Sequence, residues 1–302
     1  MAEVKRVAAG VLDVAYEESG DCAGKPAILL HGFPYDVRAY DDVTPRLVAA
    51  GCRVLTPYLR GYGPTRFLSA DTPRSGEQAV LAQDLLSFMD ALAIPSATLA
   101  GYDWGGRAAC IVAALWPERA DGLVTGNGYN VQNIPRALAP SSPLNEHRYW
   151  YQWYFHGERG RRGLDQNRAE LCKLLWHLWS PNWDFDDATY ARSAASFDNP
   201  DFVDVVVHSY RHRYGLVPGD PAVAAIEERL TDQPAIAVPT IAIDGDGDGV
   251  MAIGGCAGHA HHFKASYQRI VIPRVGHNLP QEAPEAFADA VLTLMPADRK
   301  RG

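Results

Sequence analysis

From Arg6 to about Asn130, short apolar runs bounded by turn residues alternate with stretches of helical periodicity, and the alternation resumes after about Pro234. The runs predict strands over Arg6–Glu17, Ala27–Leu30, Arg53–Pro57, Ala97–Ala100 and Gly122–Gly126, then over Thr240–Ile243 and Arg269–Ile272. Between them, Ala79–Ala93 places Val80, Leu81, Leu85, Phe88 and Met89 on one stripe, and Arg107–Leu115 is small and apolar enough to pack closely on a sheet. The chain closes on Pro284–Met295, where Phe287, Val291 and Leu292 share a face. Strands alternating with helices predict an α/β protein with a mostly parallel central sheet and helices on both faces. The segment 131–233 breaks the rhythm with long helical patterns and five of the seven tryptophans, Trp150, Trp153, Trp176, Trp179 and Trp183. It reads as a helical cap inserted into a core made of residues 1–130 and 234–302, with Trp176 and Trp179 as core packing.

Composition narrows the class. The 302 residues are 47% hydrophobic and 21% charged, too apolar for a disordered chain. A net charge of -8 repels polyanions and argues against nucleic acid or an anionic membrane as partner, the local exceptions being Arg159-Gly160-Arg161-Arg162 and the tail Arg299-Lys300-Arg301. Five dispersed cysteines without a C-x-x-C pair suggest neither a disulfide framework nor a zinc knuckle. No apolar stretch approaches the roughly 18 residues of a membrane span, and residues 1–20 lack a signal-peptide layout, so a cytoplasmic location is expected.

The chemistry gathers at strand ends. The predicted strand ending at Ala100 runs into Gly101-Tyr102-Asp103-Trp104-Gly105-Gly106 and then a helix, the pattern of a nucleophile elbow with a carboxylate in place of serine. A carboxylate needs no base to be nucleophilic, and it attacks sp³ carbon to give an ester. In this fold an acid and then a histidine follow the nucleophile along the chain. Val275-Gly276-His277 follows the last strand, so His277 is the expected base, and Asp248 is the expected acid that orients it, with Asp246 in reserve and Asp244 still part of its strand. Asp244-Gly245-Asp246-Gly247-Asp248-Gly249 copies the opening of a calcium loop, but its twelfth position is Gly255 instead of a bidentate glutamate. His259, His261 and His262, in the long loop Gly254–His262, form one cluster without a carboxylate and read as an exposed insertion, not a metal site. After the strand Ala27–Leu30, the turn His31-Gly32-Phe33-Pro34 is placed to aim N–H groups at the elbow; the Phe33 and Trp104 N–H groups are the expected oxyanion donors, and Phe33-Pro34 is a candidate cis peptide.

These motifs, with Arg60-Gly61-Tyr62-Gly63, resemble the α/β-hydrolase fold family and, within it, the epoxide hydrolases, over nearly the whole chain. The haloalkane and fluoroacetate dehalogenases share the aspartate nucleophile, but here Phe33 replaces the asparagine of many dehalogenases, and the residue after Asp103 is not the arginine of fluoroacetate enzymes. The resemblance implies that Tyr151, in Tyr151-Gln152-Trp153-Tyr154-Phe155, and Tyr210, in Ser209-Tyr210-Arg211, donate to an epoxide oxygen, with His31, Gln152 and Trp153 in the substrate pocket. It implies hydrolysis of a small apolar epoxide to a vicinal diol through an ester on Asp103, without metal or organic cofactor, by a monomer or homodimer. A hydrolytic dehalogenase is the alternative enzyme, and a catalytically silent ligand-binding protein is the alternative of another class.

Overall fold

Residues 3–251 and 254–296 are described by a computed structural model of the chain. The basic tail Arg299-Lys300-Arg301 lies outside the described residues. Among the described residues nine strands form one sheet: β1 (Val4–Ala9), β2 (Leu12–Ser19), β3 (Lys25–Leu30), β4 (Cys52–Pro57), β5 (Arg66–Phe67), β6 (Ala97–Gly101), β7 (Ala120–Gly126), β8 (Thr240–Gly245) and β9 (Tyr267–Ile272). Their order is β1-β2-β4-β3-β6-β7-β8-β9, with the short β5 paired to β2. Strands from β4 to β9 along this order run parallel, while β2 meets β1, β4 and β5 antiparallel.

The central strands are buried on both faces, which is why they read as continuous apolar runs. Ala27 to Leu30, Leu99, Leu123 and Val124 are all inaccessible or nearly so. One face is covered by the helices Gln78–Ala91 and Asp103–Leu115. The stripe Val80, Leu81, Leu85, Phe88 and Met89 is buried as its spacing requires, and Ala108 to Ala113 let the second helix approach the sheet closely. The helix Pro284–Leu294 packs Phe287 and Val291 inward against β7 and β8.

Two expectations differ from the structure by more than a residue or two at an element's end. The predicted strand Arg6–Glu17 is a hairpin, because Gly10 at φ 58° turns the chain and pairs Ala9 with Leu12. The helix expected from Arg107 begins at Asp103. Residues 131–233 contain helices and no strand. Within them Trp176 and Trp179 are fully buried, and Trp176 Nε1 donates to the Pro34 carbonyl at 2.7 Å, which ties the helix Arg168–Trp179 to the turn after β3. Among the described residues no helix is long and apolar enough to cross a membrane. The cysteines are free, with only Cys22 exposed.

Strand register brings the chemistry together. Leu30 lies beside Gly101, Gly101 beside Thr125, Gly126 beside Ile243 and Gly245 beside Ile272, so the loops after five neighbouring strands emerge at one edge. The chain moves from β3 to β4 on one side and crosses to β6 on the other, and open parallel sheets bind ligands at such a reversal.

Candidate active site

Asp103 sits at the first turn of its helix with φ at +50°, a conformation that few side chains other than Asn and Asp tolerate. The turn closes because its neighbours lack side chains. A Cβ on Gly105 would stand 2.0 Å from the Leu30 carbonyl oxygen, and one on Gly32 would stand 2.4 Å from Asp103 Cβ. The result is a carboxylate held at a strand end and partly exposed to a cleft of about 270 Å³, just below the roughly 300 Å³ at which small-molecule sites begin. A larger depression of about 650 Å³ over Tyr154, Glu158 and Arg162 is a surface feature without the strand-end residues.

Asp103 Oδ1 accepts from the Phe33 N–H at 2.8 Å, and Oδ2 lies 3.6 Å from His277 Nε2. His277 Nδ1 meets Asp248 Oδ2 at 2.7 Å. Asp248 is itself fixed: Oδ1 accepts from the Val250 and Met251 N–H groups, and Oδ2 from Asn127 Nδ2 at 3.2 Å. Asp246, the reserve candidate, instead accepts from the Arg274 N–H and does not reach the histidine. Asp244 ends β8, as expected, and binds Arg269 and the Cys256 N–H. The loop Gly254–His262 is therefore anchored, not a free insertion. His259 Nδ1 accepts from the Tyr129 N–H, and His262 stacks on Tyr129 at 3.8 Å. Among the described residues no group of His, Cys, Asp and Glu is arranged to hold a metal ion.

Electrostatics follow from this geometry. Burial works against ionising Asp103, but the facing His277, then Arg107 and the Phe33 N–H, outweigh it and hold the carboxyl below its ordinary range. For His277 burial disfavours the imidazolium, yet Asp248 and Asp103 together raise its pKa well above that of free histidine. The resting pair is a carboxylate facing an imidazolium.

The helix Trp150–His156 brings Tyr151 and Gln152 over the cleft. Gln152 Nε2 donates to the Tyr151 hydroxyl at 3.1 Å, while Gln152 Oε1 accepts from Tyr214 at 2.8 Å and from Arg213 at 3.3 Å. Tyr210, on the helix Phe202–His212, packs behind Tyr151, with ring centres 5.3 Å apart, and against Phe33 and Trp104. Burial raises both phenols above the ordinary value near 10, so they are more firmly protonated than free tyrosine. The Phe33-Pro34 peptide is cis.

Two pocket expectations fail. His31 is buried behind the turn, where Nε2 accepts from the Leu59 N–H and the ring packs on Tyr62. Trp153 is 38% exposed, and its indole N–H points to the Glu146 carbonyl on the outer side of its helix. Nor is the cleft apolar: Asn127, Asn130, Gln132 and Gln152 line it with two arginines that sequence reasoning passed over, Arg107 and Arg213. Arg107 stands four residues after Asp103, a spacing that puts both on one helix face and was the available signal.

Comparison with known proteins gives the same architecture. Residues 25–284 match the alpha/beta hydrolase fold family. The crystal structure of a candidate epoxide hydrolase from Klebsiella pneumoniae subsp. pneumoniae is 45% identical and superposes with a TM-score of 0.95 over 97% of each chain. Epoxide hydrolase B of Mycobacterium tuberculosis is 31% identical over 46% of this chain, and a haloalkane dehalogenase of Mycobacterium marinum is 34% identical over 44%. Those two matches span 42% and 47% of the relatives' own length.

Proposed function

The chain belongs to the alpha/beta hydrolase fold family, and from that premise we propose that it hydrolyses an epoxide to a vicinal diol through an alkyl ester on Asp103. The observation that carries the reading is an elbow carboxylate facing, across one cleft, a phenol whose oxygen already accepts from Gln152 and whose own proton can go to substrate. The strong similarity to the Klebsiella protein supports it. Residues 131–233 act as the cap that supplies this phenol.

In the first step an Asp103 oxygen attacks a ring carbon, the carbon–oxygen bond breaks, and the departing oxygen takes a proton from Tyr151 with Tyr210 as second donor. The His277 proton replaces it, so the resting carboxylate and imidazolium become a neutral ester and a neutral imidazole. In the second step His277, held by Asp248, takes a proton from water as the water attacks the Asp103 carbonyl. The Phe33 and Trp104 N–H groups receive the oxyanion. Collapse passes the proton of the added hydroxyl to the leaving oxygen, which releases the neutral diol and leaves the Asp103 carboxylate facing the His277 imidazolium.

Loss of halide is the second reading, favoured by one observation: the buried indole N–H groups of Trp104 and Trp179 have no hydrogen-bond partner among the described residues. An alkoxide must be protonated, whereas a halide needs only donors. Tyr151→Phe and Tyr210→Phe are therefore expected to slow ester formation from styrene oxide by roughly 10² to 10⁴ each. Stopped-flow single turnover measures this, with 1-chlorobutane as the comparison. Full-rate diol formation in the double variant, or halide release that survives it but fails in Trp104→Phe, moves the assignment to dehalogenation.

A further inference from the structure

Beside the Asp103–His277 pair, two arginines line the cleft. Arg107 is almost fully buried, lines the cleft and donates Nε–H to the Asn130 carbonyl at 3.3 Å. Arg213, just past the end of the helix Phe202–His212, lies over the Tyr210 ring at 4.7 Å. Its polar partners are amide oxygens: Gln152 Oε1 at 3.3 Å and, with the amide turned so that oxygen faces the guanidinium, Gln132 at 3.1 Å. Among the described residues neither arginine has a carboxylate within ion-pair distance, whereas eleven other arginines do. The one anion in the cleft, Asp103, is already faced by the Phe33 N–H and His277.

Burying a guanidinium without a counter-ion is unfavourable, and two in one cleft repel each other. Burial and then the Arg213 charge both lower the Arg107 pKa, an effect Asp103 only partly reverses. An apolar epoxide would leave this excess of positive charge in place. A planar anion would remove it, since a guanidinium fork fits a carboxylate in two parallel hydrogen bonds. In a chain of net charge -8, such a focus of positive charge would also draw an anion to the one place where it is useful.

We infer that Arg107 and Arg213 form an anion subsite beside Asp103, and that the substrate is a small epoxide bearing a carboxylate. The epoxide half of this rests on the function proposed above; the anion half rests on the arginines alone. The cleft volume limits the substrate to a few carbons beyond the ring and the acid group. Arg213 is the more diagnostic residue, because Arg107 also stabilises the Asp103 carboxylate directly.

The test compares glycidate with glycidamide, which differ only in carboxylate against amide. The wild-type enzyme is expected to favour glycidate in kcat/KM by roughly 10- to 100-fold, the range for charge-assisted hydrogen bonds. Arg213→Gln should bring the ratio close to one, mainly by raising KM for glycidate, while Arg213→Lys should keep part of it. Calorimetry with the products glycerate and glyceramide gives a readout independent of turnover, and the variant's thermal unfolding shows whether it is folded. Diol formation from both epoxides without preference overturns the inference and leaves the epoxide reading intact. Glycerate binding that is lost in Arg213→Gln, with neither epoxide turned over, supports the subsite and overturns the epoxide reading. Absence of both turnover and glycerate binding overturns both.

Discussion

Asp103→Asn is expected to lose about 10⁴-fold or more in kcat while keeping its fold. The substitution is close to isosteric, and asparagine is among the residues that tolerate the positive φ at this turn, so the backbone has no reason to move. The amide oxygen can still accept from the Phe33 N–H, as Asp103 Oδ1 does at 2.8 Å. What is lost is the anionic nucleophile, and no other carboxylate is placed to replace it: Asp248 is turned toward His277 and the Val250 and Met251 N–H groups. Steady-state diol formation and thermal unfolding, measured on the same preparation, check the two halves of this expectation. Substantial turnover by the folded variant would show that water attacks the substrate directly.

His277→Gln is expected to stop the cycle halfway. Alkylation by a carboxylate needs no base, whereas hydrolysis of the ester does, so the variant should react once and hold the product. Intact mass should rise by one substrate mass, and steady-state turnover should fall by roughly the 10² to 10⁴ typical of a lost general base. The pH dependence has a definite sign. In the resting enzyme the charges of Asp248 and Asp103 overcome the opposing effect of burial and keep His277 protonated through neutral pH. Esterification removes the Asp103 charge, so the pKa of His277 falls and the neutral base appears when it is needed. Ester hydrolysis in the wild-type enzyme should therefore accelerate as pH rises and level off once the imidazole is neutral; in His277→Gln it should stay slow and lack that titration. A variant that is inactive yet unmodified would make His277 indispensable to ester formation, beyond the return of a proton to Tyr151.

The sheet was legible because strands buried on both faces must be apolar throughout, and Ala27–Leu30 and Gly122–Gly126 have no other use for such runs. The first hairpin was not, since the alternation from Arg6 to Glu17 continues across Gly10 without a break in period. Asp103, Asp248 and His277 could be read because each follows a strand in an order that the fold dictates, and the structure brings them within 3.6 Å of their neighbours. His31 and Trp153 failed for the opposite reason: adjacency to a motif does not set side-chain direction. Gln152 and Trp153 are consecutive on one helix, and about 100° of rotation separates a cleft-facing residue from an exposed one. Arg213 carries no sequence signal at all, because only the folding of the helical segment over the sheet puts it beside Arg107.

The central claim is that substrate carbon is bonded to Asp103 before water enters, and a single turnover in ¹⁸O-labelled water tests it most directly. With enzyme in excess over epoxide, the attacking water adds to the Asp103 carbonyl, so the peptide containing Asp103 should gain the label while the first diol formed carries none. Label in the diol and none in that peptide would contradict the account.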